Sequence, residues 1–442
     1  MRAAADVLSD FDLDPAVVHL NHGAYGVTPR VVDRAQQQLR ERAAGNPYRF
    51  NRIEVVELLA AAREAGCDFL GLGPDDAALV RNVSEGVSTV LAALQLQTGD
   101  EVVVCDHGYG AVRLAVQHWC DRAGAVLRVA RVPLAASDDE VVQAYAAQTS
   151  GHTRLAIVDQ ITSPTAAVLP VAAVAAALGD VPVLADAAHV PGTLPTDIAA
   201  LGAAFWVGNL HKWAFTPRGS ALLWAAPPWR ERLHPLVLSW GSGSGFPAAW
   251  DQPGTADHTG WGAIPAGLDY WRDLGAWRRT ALSEALVIAG QHEVADLVGT
   301  ELGGLPPTPA PTMRLVRLPA GLLSGPDDVE PLYDRLSTEH HVECAPVWFG
   351  GEGFVRVAGQ AYNSVDDYRR LGSAQRCARL PVDRGVGRGG RDALGRARRH
   401  APPSAPHTSA ASMIRYEYPC SARKRCRCWA KSASTVSRAT TA

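Results

Sequence analysis

Two apolar runs, each closed by a polar side chain, most restrict what this 442-residue chain can fold into. Val181-Pro182-Val183-Leu184-Ala185 stops at Asp186, and Ala203-Ala204-Phe205-Trp206-Val207-Gly208 runs into Asn209-Leu210-His211-Lys212-Trp213. Short unbroken apolar runs read as buried strands. The first therefore presents a carboxylate at a strand end, and the second a lysine in the turn after a strand. Glu101–Cys105 and Arg154–Val158 are further strand candidates, and Val31–Ala44, Val87–Leu94 and Val171–Leu178 are helix candidates. Their alternation predicts an α/β sheet. With 47% hydrophobic residues, the chain can build one large domain and one smaller one.

Lys212 and Asp186, 26 residues apart, suit one kind of chemistry. Pyridoxal 5'-phosphate (PLP) needs a lysine amine to condense with its aldehyde. It also needs a carboxylate to keep its ring nitrogen protonated, so that the ring accepts electrons from a substrate carbanion. His189, just beyond Asp186, falls within reach of the cofactor's ring oxygen. Asn209 and His211 flank Lys212 and offer hydrogen bonds to a phosphate, with Arg218 and Gly219 as a further anion contact. Upstream, Asn82 and Glu85 in Arg81-Asn82-Val83-Ser84-Glu85-Gly86 have capping-box spacing. The free amides of such a helix start, with the Ser84 hydroxyl, make a phosphate site.

Other classes fit poorly. The N-terminus carries Asp6, Asp10, Asp12 and Asp14 and no apolar core, so it does not read as a signal peptide. Pro164 and Pro170 break the uncharged run 160–179, which argues against a membrane span. Cys67, Cys105, Cys120 and Cys344 are scattered, as expected of free thiols in a reducing cytoplasm, and no metal site is expected. From residue 376 to 442 the text changes: 13 Arg, 2 Lys, 3 acidic residues, four of the eight cysteines and no apolar period. Cys426-Arg427-Cys428 lacks a second ligand pair, and no nucleic-acid role is assigned. The segment reads as a disordered extension, or as the product of a frameshift near Gln375.

Four motifs together resemble the class V aminotransferases, in the branch typified by isopenicillin N epimerase. They are Asn21-His22-Gly23-Ala24-Tyr25-Gly26, Asp186-Ala187-Ala188-His189-Val190-Pro191-Gly192, Asn209-Leu210-His211-Lys212-Trp213 and Val355-Arg356-Val357-Ala358-Gly359-Gln360-Ala361-Tyr362-Asn363. The resemblance covers roughly residues 15 to 372. It implies the PLP-dependent transferase fold type I. That fold has a large domain with a mostly parallel seven-stranded sheet and a smaller α+β C-terminal domain. The expected division is an N-terminal arm and helix at 1–45, the PLP-binding domain at 46–265, the small domain at 266–375 and the tail beyond.

By resemblance, Lys212 is the covalent anchor and proton shuttle, and Asp186 pairs with the ring nitrogen. Val83, Ser84, Asn209 and His211 hold the phosphate. Thr255 reaches the phosphate of a neighbouring subunit, which implies a homodimer with sites at the interface. Arg356 grips the carboxylate of a small amino-acid substrate. An aromatic of Cys105-Asp106-His107-Gly108-Tyr109-Gly110 stacks on the ring, with His107 slightly ahead of Tyr109. Tyr25, Arg49 and the neighbouring Tyr48 and Arg52 line the substrate side. Gln160 stands where related sequences often have His, and Ala187 where Gly is usual.

The leading expectation is an isomerase, with Lys212 on one face and His107 or Tyr109 on the other. The alternatives are a lyase or desulfurase acting on a cysteine-like substrate, a transaminase, and an inactive scaffold. Intact Lys212 and Asp186 argue against the scaffold. His340-His341-Val342-Glu343-Cys344 is the one hint of sulfur relay, but the run 342–348 reads as extended, so Cys344 is expected to be packed.

Overall fold

A computed structural model describes residues 2–378. Among these the strands are, in chain order, β1 (Val18–His19), β2 (Ala77–Val80), β3 (Glu101–Cys105), β4 (Val126–Ala130), β5 (Thr153–Asp159), β6 (Val183–Asp186), β7 (Phe205–Asn209), β8 (Ala221–Ala225), β9 (Met313–Arg317), β10 (Val342–Glu343), β11 (Ala345–Phe349) and β12 (Glu352–Ala358). Seven form one sheet in the order β2-β8-β7-β6-β5-β3-β4. From β7 to β4 every pairing is parallel, and β8 runs antiparallel to both β7 and β2. Parallel strands covered on both faces need apolar residues at every position rather than alternate ones. That is why β3, β6, β7 and β8 are buried throughout, whereas β4, at the edge, alternates. The fold is the mostly parallel seven-stranded α/β arrangement anticipated, with a smaller C-terminal sheet.

That second sheet has the antiparallel order β11-β12-β9. Helices Ala276–Val298 and Val365–Ala378 pack together, and Gly290 makes room for the Tyr368 ring. The Tyr368 hydroxyl donates to the Ala358 carbonyl at 2.9 Å. β1 pairs in parallel with β10, so the N-terminal segment is stitched to the C-terminal part of the chain. The boundary expected at 265 falls inside helix Ile264–Asp273. We propose the division at Gly275, whose φ of 119° ends that helix and starts Ala276–Val298.

Several elements differ from expectation in instructive ways. The strand at 154–158 extends to Thr153–Asp159, so its end carries a carboxylate. The helix expected from Val87 starts at Val83, because the Asn82 side chain accepts from the Glu85 amide at 3.0 Å. The uncharged run 160–179 is loop followed by the helix Val171–Leu178, and no described helix is long and apolar enough to cross a membrane. Gln375 is fully buried, and neither amide atom has a partner. That costly placement falls where the sequence changes character. The last described helix ends at Ala378, and the rest of the basic tail lies outside the described residues.

Helix Val83–Leu94 approaches the sheet through Gly86, where an added Cβ would lie 2.6 Å from Val207 Cγ1. Gly86→Ala should therefore push this helix off β7 and lower stability by about 1–3 kcal/mol. Urea unfolding of the cofactor-free protein measures it, and an unchanged midpoint would show that β7 yields without cost.

Candidate active site

The ends of three neighbouring parallel strands build the site. β5 and β6 run in register with Asp159 opposite Asp186, and β7 ends at Asn209. Carboxyl ends of parallel strands are where such sheets place ligands. The helical turn Leu210–Trp213 follows immediately and carries Lys212. Two glycines at positive φ, Gly26 and Gly192, let other loops close on this turn. Any Cβ on Gly26 would strike the His211 carbonyl, and one on Gly192 would lie 2.8 Å from the Trp213 oxygen.

The hydrogen bonds around Lys212 fix its charge. Trp213 Nε1 donates to His189 Nδ1 at 3.4 Å, so in the neutral ring the proton sits on Nε2. His189 Nε2 lies 3.1 Å from Lys212 Nζ. An Nε2–H there can only donate, and the lysine accepts only as a free amine. The Lys212 pKa is lowered to about 7, by burial first and by Arg356 second, with Asp186 opposing them. The His189 pKa is pushed well down, first by burial and then by Lys212. His189 is therefore neutral, and Lys212 holds a substantial share of free amine at neutral pH, which makes it a ready nucleophile.

Asp186 is 3% exposed, and one of its oxygens accepts from the Ala188 amide at 3.0 Å. Burial raises its pKa; the Ala188 amide and Lys212 act in the opposite direction. A protonated ring nitrogen at this carboxylate would supply the positive charge that a neutral Lys212 does not. Arg356, on β12, is 6% exposed. It donates to Asn21 Oδ1 at 2.7 Å, to Ser163 Oγ at 3.3 Å and to the Ser163 carbonyl. All three acceptors are neutral, and among the described residues Arg356 makes no ion pair. Burial lowers its pKa to about 10, which still leaves it cationic at neutral pH.

The expected phosphate group is only partly assembled. Val83 and Asn209 bind each other, the Val83 amide donating to Asn209 Oδ1 at 3.0 Å. The half-buried Ser84 keeps its amide and hydroxyl available at the helix N-terminus. His211 Nδ1 donates to the Ser220 carbonyl at 3.0 Å, and burial lowers the pKa to about 4, so Nε2 donates to an anion only in the imidazolium form. Thr255 is exposed on its loop.

His107 does not fit the ring-stacking role expected of it. It is 1% exposed, with Nε2 donating to the Val132 carbonyl at 2.9 Å and Nδ1 2.7 Å from Thr165 Oγ1. Its ring packs on Phe349 with centroids 4.2 Å apart. Both nitrogens are engaged in holding a loop. Tyr109 is 44% exposed, and its charge acts on Arg356 across the site. Tyr25 and Tyr48 are exposed, and Arg49 pairs with Glu54 at 3.1 Å. Gln160 holds Trp206 Nε1 at 3.0 Å and Thr196 Oγ1 at 2.9 Å, so its side chain serves the sheet.

Asn21, Ser163, Trp213 and Asp159 belong to the site and were not singled out from sequence. Asp159 had a signal, since Leu155–Val158 is an apolar run closed by aspartate, as Val183–Ala185 is. The others act through hydrogen bonds between segments distant in sequence.

A free buried amine, a buried carboxylate short of positive charge and an open helix N-terminus form a donor set that fits PLP. Comparison with known proteins agrees. The family model described as Aminotransferase class-V matches residues 19–367. Isopenicillin N epimerase of Streptomyces clavuligerus is 31% identical over 382 residues, covering 82% of this chain and 95% of that protein. A putative L-cysteine desulfhydrase 1 of Oryza sativa subsp. japonica is 29% identical, covering 84% and 85%. Among solved structures, C-DES with glycine covalently linked to its PLP cofactor superposes with a TM-score of 0.70 at 19% identity, covering 84% of this chain and 99% of that one.

Cofactor-free protein mixed with PLP should attach it at a rate that rises through pH about 7 and is level well below 10.5. Growth of visible absorbance after rapid mixing reads this rate. A rate still climbing near pH 10 would place a proton on Lys212 in the resting protein. Lys212→Ala should bind PLP without any borohydride-stable linkage.

Proposed function

The chain belongs to the class V aminotransferase family, its cofactor is pyridoxal 5'-phosphate, and we propose that it inverts the α-carbon of an amino acid or amino-acid-containing substrate. Bound PLP supplies an electron sink for the carbanion left when the α-proton departs. Lys212, a free amine, takes that proton on one face. Arg356 fixes the substrate carboxylate, the anion that this buried guanidinium lacks within the chain. Tyr109 returns a proton on the opposite face.

The observation that carries this reading is the contrast between the two aromatic candidates. His107 is locked at both nitrogens, while Tyr109 is half exposed and acts on Arg356. A phenol hydroxyl carries a proton that it can donate. Identity of 31% to an isopenicillin N epimerase supports the same assignment.

A second reading, elimination of sulfide from a cysteine-type substrate, has support in the desulfhydrase relatives at 27–29% identity. It needs Lys212 but no second base and no carrier thiol. Cys344 argues against the carrier route, because it is fully buried and burial raises its pKa steeply. We further propose a homodimer. Leu236, Val237, Leu238 and Trp240 are 42–93% exposed on the segment that leads to Thr255, an apolar surface suited to a second subunit.

Incubation with a panel of amino acids in deuterated water should give α-deuterium with inverted configuration. Pyruvate with sulfide would replace this reading by the lyase, and a keto acid with aminated cofactor by a transaminase. Cys344→Ser should leave turnover within about twofold, since Cys344 is fully buried and bears on the site only through its electrostatic effect on Arg356. Loss of sulfide release with PLP still bound would make Cys344 a carrier after all.

A further inference from the structure

Asp159 is the buried ionisable group that the chemistry above leaves without a task. It is 4% exposed and stands opposite Asp186 on the adjacent strand. Its carboxyl accepts from the Tyr109 backbone amide, and an added Cβ on Gly108 would lie 3.3 Å from Oδ2. It therefore sits directly beneath the turn 105–109. Other ties hold that turn from its far side. Asp106 accepts from the Val132 amide at 3.0 Å, His107 bonds Val132 and Thr165, and the Gly108 amide closes on the Cys105 carbonyl at 3.1 Å. The tie through Asp159 is the one that comes from the strand next to Asp186.

We propose that Asp159 is a positioning residue that sets where Tyr109 stands relative to the ring-binding carboxylate, Asp186. This rests on the reading of Tyr109 as the acid of the second face. The side chain works as a neutral acid. It lies in a dry site beside a second carboxylate, with no cation acting on it, and burial first and Asp186 second push its pKa well up. Asp186 is the more acidic of the pair, because the Ala188 amide first, and the charged share of Lys212 second, favour its carboxylate. A neutral acid at Asp159 accepts from the Tyr109 amide without adding charge under the ring. Asparagine can do the same, and alanine cannot.

The test uses the PLP-loaded enzyme in deuterated water with whichever L-amino acid of the standard set exchanges its α-proton fastest. Two rates are followed: deuterium uptake with retention, which reports Lys212, and uptake with inversion, which needs both faces. Backbone amide exchange of the peptide spanning 105–110 is read in parallel. Asp159→Ala should slow inversion about tenfold or more, leave retention within about threefold and speed amide exchange at 105–110. Asp159→Asn should restore all three. If the wild type exchanges without inverting, the reading of Tyr109 fails and the proposal falls with it. If the wild type inverts and Asp159→Ala inverts equally well, the proposal alone fails. If Asp159→Asn inverts as poorly as Asp159→Ala, the neutral-acid role is wrong. Should Asp159→Ala not fold, Asp159→Leu, of similar size and unable to accept a hydrogen bond, takes its place with the same expected and overturning results.

Discussion

Everything in this site depends on keeping a lysine amine uncharged beside a carboxylate. In water, Lys212 would be ammonium and Asp186 would pair with it, leaving neither available to a cofactor. Burial alone does not prevent that, because two buried opposite charges attract strongly. The chain adds a directional constraint. Trp213 has one donor and turns it on His189 Nδ1, which puts the imidazole proton on Nε2, facing the lysine. Trp213 is itself held at a fixed place. His22 packs on it with ring centroids 5.0 Å apart, and Gly23 approaches so closely that a Cβ there would lie 2.8 Å from the indole. The His22 ring is 2.9 Å from the Tyr362 hydroxyl. The N-terminal motif, and through it Tyr362 in the segment after β12, thus bear on one proton.

This explains which parts of the site were legible in the sequence. Asp186 and Lys212 could be read because each sits where an apolar run stops, and a strand buried on both faces admits charge only at its end. The same rule would have yielded Asp159, whose strand was read one residue short. The roles of His107, Val83 and Asn209 were not legible in that way. A histidine between a strand and a helix reads alike whether its ring faces a ligand or a loop carbonyl. The choice was made by Val132 and Thr165, 25 and 58 residues away. Asn209 and Val83 are 126 residues apart, so a hydrogen bond between them follows only from the strand order.

The fold was legible for a related reason. Strands such as β3 and β6 are buried at every position and apolar but for Glu101 and Asp186 at their ends, which already excludes a sheet with one wet face. Helix Val83–Leu94 was the weaker case. Its first turn is fixed by the Asn82 cap rather than by apolar spacing, so periodicity found only its second half. Gly86 belongs to that concealed half, and it is the residue that lets the helix lie against β7 and aim its N-terminus at the site.

Charge balance shows what the finished site accepts. Burial pushes the pKa values of His189, His211 and Lys212 down, that of Lys212 to about 7, and that of Asp159 up. What remains is Asp186, negative and short of a counter-charge, and Arg356, positive and bonded only to neutral oxygens. Each charge is left for a ligand group. The protonated ring nitrogen of PLP would answer Asp186, and a substrate carboxylate, on the function proposed, would answer Arg356. An amine without a carboxylate would leave the guanidinium buried and uncompensated, and the penalty for a buried unpaired charge is severe. On the proposed role of Arg356, this uncompensated arginine would favour amino acids over plain amines.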